Sequence, residues 1–247
     1  MSIPSLTLNL AVISLLLLGF STATVRYELI NYQIGLTLFS FAGLLSLISI
    51  GASALFTRRT TSVQGRRKLN SAAFIALPAI LFLSLSLFRG AGAPLINDVS
   101  TNTQQPPKFL KAPDLRGPAD NSLTYMGTNI ALQEQAYPHI KTYQSPLSLV
   151  ESQNLSFKIA SEMGWLVYYQ QKGHIEAQTR SFWFGFIDDI VIQIQANDAG
   201  ALIDLRSASR LGKGDFGANA QRITAFLETF SLNEQTDIAK AATPTQF

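Results

Sequence analysis

The chain has 247 residues, of which 47% are hydrophobic and only 14% charged, and its mean hydropathy is positive. This composition is too apolar for an ordinary soluble domain and indicates membrane-spanning segments in part of the chain. Cysteine is absent and only two histidines occur, which excludes disulfides and a catalytic thiol and disfavours a multi-histidine metal centre. We therefore expect no metal and no cofactor.

The basic residues are concentrated in the N-terminal part of the chain. Residues 1–97 carry seven Arg or Lys against the single acid Glu28, whereas residues 98–247 carry 12 basic and 15 acidic side chains. The basic pI of about 9.2 therefore belongs to the N-terminal part. Nucleic-acid binding needs a basic face on the folded domain, so we expect no nucleic-acid partner.

Three uncharged runs predict transmembrane helices at about residues 6–25, 34–56 and 72–88, within a membrane region at residues 1–93. A run of about 20 apolar residues suffices to cross the hydrocarbon layer, so the lipid bilayer is an expected partner. The first run lacks the positive start and the cleavage site of a signal peptide, so we expect it to be retained. No ionisable group lies in mid-span, which argues against a transporter.

The charges of the connecting loops predict the orientation. The connection between the second and third runs holds five Arg or Lys and no acid, whereas Arg26 is the only basic residue between the first and second. The positive-inside rule then places the N-terminus and the five-charge loop in the cytoplasm. In a bacterium, this predicts an inner-membrane protein whose C-terminal domain is periplasmic.

Residues 94–142 are rich in Pro, Asn, Thr and Asp and show no regular period, which predicts an extended linker that lies along a folded domain or leads into it. Ser145-Pro146 then predicts the start of a helix that ends at Gly164. Alternating patterns predict four strands, at Trp165–Gln170, His174–Phe186, Ile190–Ala196 and Ala201–Ala208.

A closing helix follows the strands, with Ile223, Phe226, Leu227 and Phe230 on one stripe. The predicted fold is a multi-pass membrane α-helical N-terminal region followed by an α+β two-layer sandwich: helix, four-stranded antiparallel sheet, helix. The sandwich occupies residues 143–235, with a C-terminal tail at 236–247. One face of the sheet is expected to be apolar and the other wet.

The aromatic run Phe182-Trp183-Phe184-Gly185-Phe186 lies in the second predicted strand. Alternation along a strand would place the three phenylalanines on one face, where we expect them to pack in the core. Trp183 would take the other face, where a membrane surface or a lipid is a suitable partner.

The stretch "DLRSASRLGKGDFGAN", residues 204–219, resembles a phosphate-binding loop between a strand and a helix. A P-loop requires Ser or Thr directly after Gly-Lys, but Gly214 follows Gly212-Lys213. The spacing Gly-x-Gly-x-x-Gly does occur, but a dinucleotide site needs a βαβ unit, and the neighbouring strands are predicted to be antiparallel. Both nucleotide motifs are therefore excluded.

Two interpretations of this stretch remain. In the first, basic side chains and helix amides bind an anionic group; the candidate ligand or anion-binding residues are Arg206, Ser207, Ser209, Arg210, Lys213, Asp215, Asn219 and Arg222. In the second, the residues are structural. Arg206 would pair across the sheet with Asp188 or Asp189, the glycines would turn the chain, and Asp215 or Asn219 would cap the helix.

The segments "FIDDIVIQIQ", "GALIDLRSASRLGKGDFGANAQRI", "APLINDVSTNTQQPPKF" and "AYPHIK" resemble the bacterial and plastid family known as domain of unknown function 1499. The resemblance covers about residues 94–232, and His139 replaces an acid that is usual in the family. It implies an envelope-associated domain and carries no established reaction.

The leading hypothesis is a non-enzymatic, membrane-anchored envelope domain that binds a membrane-protein partner or an anionic ligand such as an anionic lipid. The first alternative is a periplasmic hydrolase or transferase, with Ser207 or Ser209 as nucleophile and His174 or Asp215 as base. The second is a small accessory subunit of a membrane complex. No residue is assigned as catalytic.

Overall fold

The structure, a computed structural model, describes residues 1–242 and divides into two compact units. The first unit, the helical bundle, comprises Met1–Ala91 together with Ser181–Gly185. The second unit, the sheet domain, comprises Gly92–Arg180 and the described residues from Phe186 onward.

The helical bundle contains α1 (Ile3–Arg26), α2 (Tyr32–Thr57) and α3 (Val63–Gly90). Each helix is long and apolar enough to cross a membrane, which confirms three N-terminal candidate spans. The helices extend beyond the uncharged runs because a helix continues to form its backbone hydrogen bonds after its side chains become polar.

Small residues allow α2 and α3 to approach closely. The hydroxyl of Ser53 donates to the carbonyl of Leu69 over 2.8 Å, and the hydroxyl of Ser46 donates to the carbonyl of Ala76. A methyl group added at Gly43 would collide with the side chain of Leu83. Such contacts stabilise helix pairs where the surrounding lipid is as apolar as the side chains.

The sheet domain contains one antiparallel sheet of six strands, in the order β1-β6-β5-β4-β3, with β2 also paired to β6. The strands are β1 (Asp98–Ser100), β2 (Tyr143–Ser145), β3 (Leu166–Gln171), β4 (His174–Arg180), β5 (Ile187–Asn197) and β6 (Gly200–Ser209). The mixed α/β fold with an antiparallel sheet is confirmed, but the predicted number of strands, four, was wrong. The two additional strands have three residues each, which is too short for an alternating pattern to be recognised.

One face of the sheet is covered by α6 (Leu149–Glu162) and α7 (Ala218–Ala242). Its core includes fully buried isoleucines of β5 and β6 together with Phe226 and Phe230 of α7. Helix α6 begins after Ser148, whose hydroxyl and Glu151 form a capping box, rather than at Ser145. Helix α7 continues beyond position 235, and residues 243–247 of the predicted tail lie outside the described residues.

The other face is partly covered by residues 101–126, which we call the strap. The strap contains the short helix α4 (Ala112–Leu115) and leads into α5 (Gly127–Ala136). Phe109 and Ala112 of the strap are buried against Val191 and Ala208 of the sheet. The segment expected to be an extended linker thus forms a layer on the face that was expected to be wet, because scattered apolar residues in an aperiodic segment still bury surface.

The aromatic run differs from the prediction. Strand β4 ends at Arg180, and Ser181–Gly185 form a turn that the amide of Gly185 closes by donating to the carbonyl of Ser181. Gly185 has a φ of +70°, a conformation that glycine adopts without strain. Phe182 is 78% exposed, so the prediction that it packs in the core was wrong.

Candidate functional site on the polar face of the sheet

The pleat of β6 separates the Arg-Ser-Ala-Ser-Arg run into two groups. Successive side chains of a strand point to opposite faces, so Arg206 and Arg210 lie on the strap side while Ser207 and Ser209 lie on the helix side. The candidate anion-binding residues are therefore not brought together at one site.

Arg206 is buried, and its guanidinium donates four hydrogen bonds. It donates to both oxygens of Asp98, at 3.0 and 2.7 Å, and to the carbonyls of Pro107 and Leu123. It also lies between the rings of Phe109 and Tyr125, with its central carbon 5.1 and 5.2 Å from their centroids. The predicted pairing of Arg206 with Asp188 or Asp189 was wrong, because β1 brings Asp98 alongside it.

Asp189 instead accepts from two other arginines. Arg210 donates to its two oxygens at 2.8 and 3.0 Å, and Arg116 of the strap donates at 2.8 Å. Arg210 also donates to the carbonyl of Leu115. Asp189 is fully buried, so this carboxylate connects the sheet to the strap through charge-assisted hydrogen bonds.

A second polar cluster lies on the helix side, at the start of α7. Asn219 accepts from the hydroxyl of Ser207 and from Arg222, and its amide group donates to the hydroxyl of Ser209. Arg222 also donates to Asp188 over 2.6 Å. These side chains satisfy one another and connect α7 to the sheet.

The glycine-containing turn links β6 to α7. Gly212 has a φ of +88°, which favours glycine, and Lys213 is exposed. Asp215 accepts from the amides of Gly217 and Asn219 and so caps α7. Burial raises the pKa of Asp215, and those two amides oppose the shift. Of the four predicted cations, Lys213 is the exposed one; the three arginines have carboxylate partners.

The hydrolase hypothesis requires a base beside a serine. His174 pairs in register with Gln193, which in turn faces Asp204, so His174 lies on the strap side of the sheet. Ser207 lies three residues after Asp204, on the helix side. The structure therefore does not bring His174 together with Ser207 or Ser209. The other candidate base, Asp215, accepts from the amides of Gly217 and Asn219, and no hydrogen bond joins it to either serine within residues 1–242.

His174 is instead bonded to Glu176, with 2.9 Å between its Nε2 and the carboxylate. Glu176 is fully buried and also accepts from the strap amides of Leu110, Lys111 and Ala112. Burial opposes ionisation of Glu176, but the hydrogen bonds from His174 and from the three amides outweigh it and hold its pKa below the ordinary value. This carboxylate is thus a second fixed connection between sheet and strap.

An open cleft of about 960 Å³ lies where the strap leaves the sheet uncovered. Its floor is formed by polar side chains of β4, β5 and β6, and its wall by the strap. Most of the lining residues carry amide, hydroxyl or charged groups: Asn102, Gln104, Gln105, Lys108, Tyr125, Thr142, His174, Gln193, Gln195, Asp204 and Arg206. Small-molecule sites commonly have volumes of about 300–1,000 Å³.

The cleft contains a carboxylate that already accepts hydrogen bonds and amide side chains that form none. Asp204 accepts from the hydroxyls of Thr101 and Thr142, at 2.7 and 2.6 Å. By contrast, the side chains of Gln104, Gln105, Gln193 and Gln195 form no hydrogen bond within residues 1–242. These four amides and the exposed ammonium group of Lys108 are available to a ligand.

The lining carries two basic side chains, Lys108 and Arg206, and one acidic side chain, Asp204. Arg206 is paired with Asp98, which is not part of the lining. Burial raises the pKa of Tyr125 far above its usual range, so its hydroxyl remains neutral. Within the described part of the chain, no group of three or more His, Asp or Glu side chains is placed to hold a metal ion.

Sequence reasoning named two residues of this cleft, Arg206 and His174, and missed the others. Gln193 and Gln195 did offer a signal, because they alternate with isoleucines along β5 and so mark a polar face. Asp98 and Gln104 offered none, because they lie in a segment without a regular pattern.

One family model matches the chain, over residues 98–230, and its description is "Protein of unknown function (DUF1499)". The match includes the strap, all six strands and the start of α7, and it spans more than half of the chain. No curated protein matches the chain, and no solved structure matches it.

Proposed function

Because the chain belongs to the DUF1499 family, whose function is unknown, we propose a role from its own geometry: a membrane-anchored, non-enzymatic domain that binds a neutral, hydroxyl- and amide-bearing ligand. The observation that carries the proposal is the set of four glutamine side chains that line the cleft and are free of hydrogen bonds within residues 1–242. A primary amide both donates and accepts, which suits hydroxyl and amide groups of a ligand.

The hydrogen bonds around Arg206 favour a neutral ligand over an anionic one at that side chain. The guanidinium of Arg206 already has a carboxylate and two carbonyls as partners, so an anion would have to displace them. Removing one partner of a buried charge pair costs several kcal/mol, about 3–5. An uncharged ligand avoids this cost.

The placement of the catalytic candidates supports a binding role over hydrolysis. Ser207 is bonded to Asn219 and Arg222, and it lies on the sheet face opposite His174. A hydrolase would need the nucleophile and its base within hydrogen-bonding distance.

Binding can be tested on the full chain in lipid nanodiscs by isothermal titration calorimetry. We expect a neutral N-acetylated disaccharide to bind and glycerol phosphate not to bind. The double variant Gln193→Leu/Gln195→Leu should no longer bind the disaccharide. The control variant Gln235→Leu, which replaces an exposed glutamine on α7, should bind it as the wild type does. Preferential binding of glycerol phosphate, or equal binding by all variants, would contradict the proposal.

We also propose that the sheet domain is periplasmic and that the bundle lies in a bacterial inner membrane. The five basic residues between α2 and the apolar part of α3 support this orientation. A phosphatase reporter fused after Phe247 should be active, and one fused at Gly65 inactive. The reverse pattern would place the domain in the cytoplasm.

A further inference from the structure

The turn Ser181–Gly185 is part of the helical bundle although it lies between two strands in the sequence. Arg26, at the end of α1, donates to the carbonyl of Ser181 over 3.2 Å and to the carbonyl of Phe182. A methyl group added at Gly185 would lie only 3.2 Å from the side chain of Arg26, so the turn is closely packed there.

Aromatic rings join the same turn to α2 and α3. The ring of Phe184 lies edge-on to Phe39 of α2, with centroids 5.4 Å apart, and 6.4 Å from Phe82 of α3. The indole of Trp183 lies 4.5 Å from the ring of Phe82. These contacts fix the depth of the turn along the helices.

With α2 centred on the hydrocarbon layer, that depth lies near the edge of the layer. Helix α2 has 26 residues, so it is about 39 Å long and exceeds a hydrocarbon layer of about 30 Å by about 4–5 Å at each end. Phe39 follows the first residue of α2 by seven positions, about 10 Å along the axis. Because side chains lean toward the helix N-terminus, the ring of Phe39 lies just inside the boundary.

The outward side of the turn is apolar. Phe182 is 78% exposed and Trp183 53% exposed, although both are large aromatic side chains. Tyr27, directly after α1, and Tyr32, the first residue of α2, lie at the same end of the bundle. Arg58, Arg59 and three further basic residues lie at the opposite end. Tyrosine and tryptophan are enriched where headgroups meet acyl chains.

We propose that the turn Ser181–Gly185 is immersed in the lipid bilayer and that Phe182 and Trp183 contact phospholipid at the headgroup–acyl boundary. Both side chains are exposed on a turn that packs against α2 and α3, which are apolar enough to cross a membrane, and this is why lipid is the occupant. The turn is a membrane contact in addition to the three spanning helices, and it does not depend on the ligand cleft.

The two tryptophans of the chain allow a direct test, because Trp165 is buried in the sheet domain and Trp183 is exposed. Trp165→Phe leaves Trp183 as the single indole, and Trp183→Phe leaves Trp165. Both variants are reconstituted as full chains in phosphatidylcholine vesicles that contain lipid brominated on its acyl chains.

Trp183 emission should be strongly quenched by lipid brominated near the headgroup, and less by lipid brominated near the chain end. Trp165 emission should change little. Emission of Trp183 that is insensitive to both lipids and quenched by aqueous iodide would overturn the proposal. If Trp165→Phe does not fold, since Trp165 stacks on Phe226, the difference between wild type and Trp183→Phe gives the same answer.

Discussion

The helical bundle and the sheet domain bury polar side chains in different ways. In the bundle, buried hydroxyls donate to carbonyls of their own or the adjacent helix, as Ser14 does to Ala11 and Ser53 to Leu69. In the sheet domain, charged side chains are buried. Asp189 and Glu176 are fully buried, and Arg206 is 3% exposed. A hydroxyl finds its acceptor nearby, whereas these buried charges also take partners from segments that are distant in the sequence.

The strap and β1 supply those partners in the sheet domain. Arg116 pairs with Asp189, Asp98 pairs with Arg206, and three strap amides donate to Glu176. Removing one side of such a pair leaves the other charge buried and uncompensated, which is strongly destabilising. Stability of the sheet domain should therefore depend on single carboxylates, whereas the bundle should tolerate the loss of single hydroxyls.

The largest expected effect follows from Asp189→Ala. This substitution leaves Arg116 and Arg210 without a carboxylate, and it should lower the free energy of unfolding by about 3–5 kcal/mol or prevent folding. Trp165 emission in a Trp183→Phe background reports unfolding of the sheet domain in urea. The control is Asp114→Ala, which removes an exposed pair with Lys111 and should change stability by less than about 1 kcal/mol. Equal effects of the two substitutions would refute the comparison.

Glu176→Gln should have the next largest effect and should depend on pH. The amide cannot accept from all of its donors, so the cost near neutral pH should be about 1–3 kcal/mol. Because the pKa of Glu176 is lowered in the folded protein, its stabilisation is complete above the unfolded value of 4.5 and is lost as the pH falls through the folded value. Wild type should therefore lose stability more steeply than the variant below about pH 4.5. Urea unfolding at a series of pH values measures this, and parallel curves would show that Glu176 is not ionised.

A smaller effect is expected for Ser53→Ala in the bundle. It removes one interhelical hydrogen bond, and such bonds in membrane proteins contribute about 0.6 kcal/mol on average. The measurement is unfolding in mixed micelles with increasing denaturing detergent. Ser86→Ala, which removes a bond within α3 to Phe82, is the matched control and should cost less. A loss of stability as large as that expected for Asp189→Ala would show that the bundle does not tolerate the loss of single hydroxyls better than the sheet domain tolerates the loss of single carboxylates.

The smallest effect is expected for Lys213→Glu. Lys213 is exposed, so charge reversal should change the stability of the sheet domain by less than about 0.5 kcal/mol. Thermal unfolding at low ionic strength measures this effect. A larger loss would mean that Lys213 contributes to folding and that the turn is more than a connection between β6 and α7.

The parts of the structure with a regular period could be predicted. Uncharged runs predicted the three helices of the bundle, and alternating residues predicted β5 and β6 to within a few positions. The split of Arg206 and Ser207 between two faces was also predictable, because the predicted strand at Ala201–Ala208 already required alternation.

Other features depend on contacts between distant residues and could not be predicted. Asp98 precedes Arg206 by more than one hundred positions, and only the pairing of β1 with β6 brings them together. Phe109 lies among prolines and lysines without a pattern, although it is buried on the sheet. The turn at Phe182 was predicted as strand because aromatic residues favour strands, and its role in the bundle is a tertiary effect.

The exposed aromatic turn has a consequence for handling the protein. A shortened chain that begins at residue 98 would retain the matched family region but would lack the helices against which Phe184 and Trp183 pack. Several aromatic side chains would then face water on one loop, and a patch of this kind promotes self-association. We expect such a fragment to aggregate at high concentration and to become more soluble when Phe182, Trp183 and Phe184 are replaced by serine.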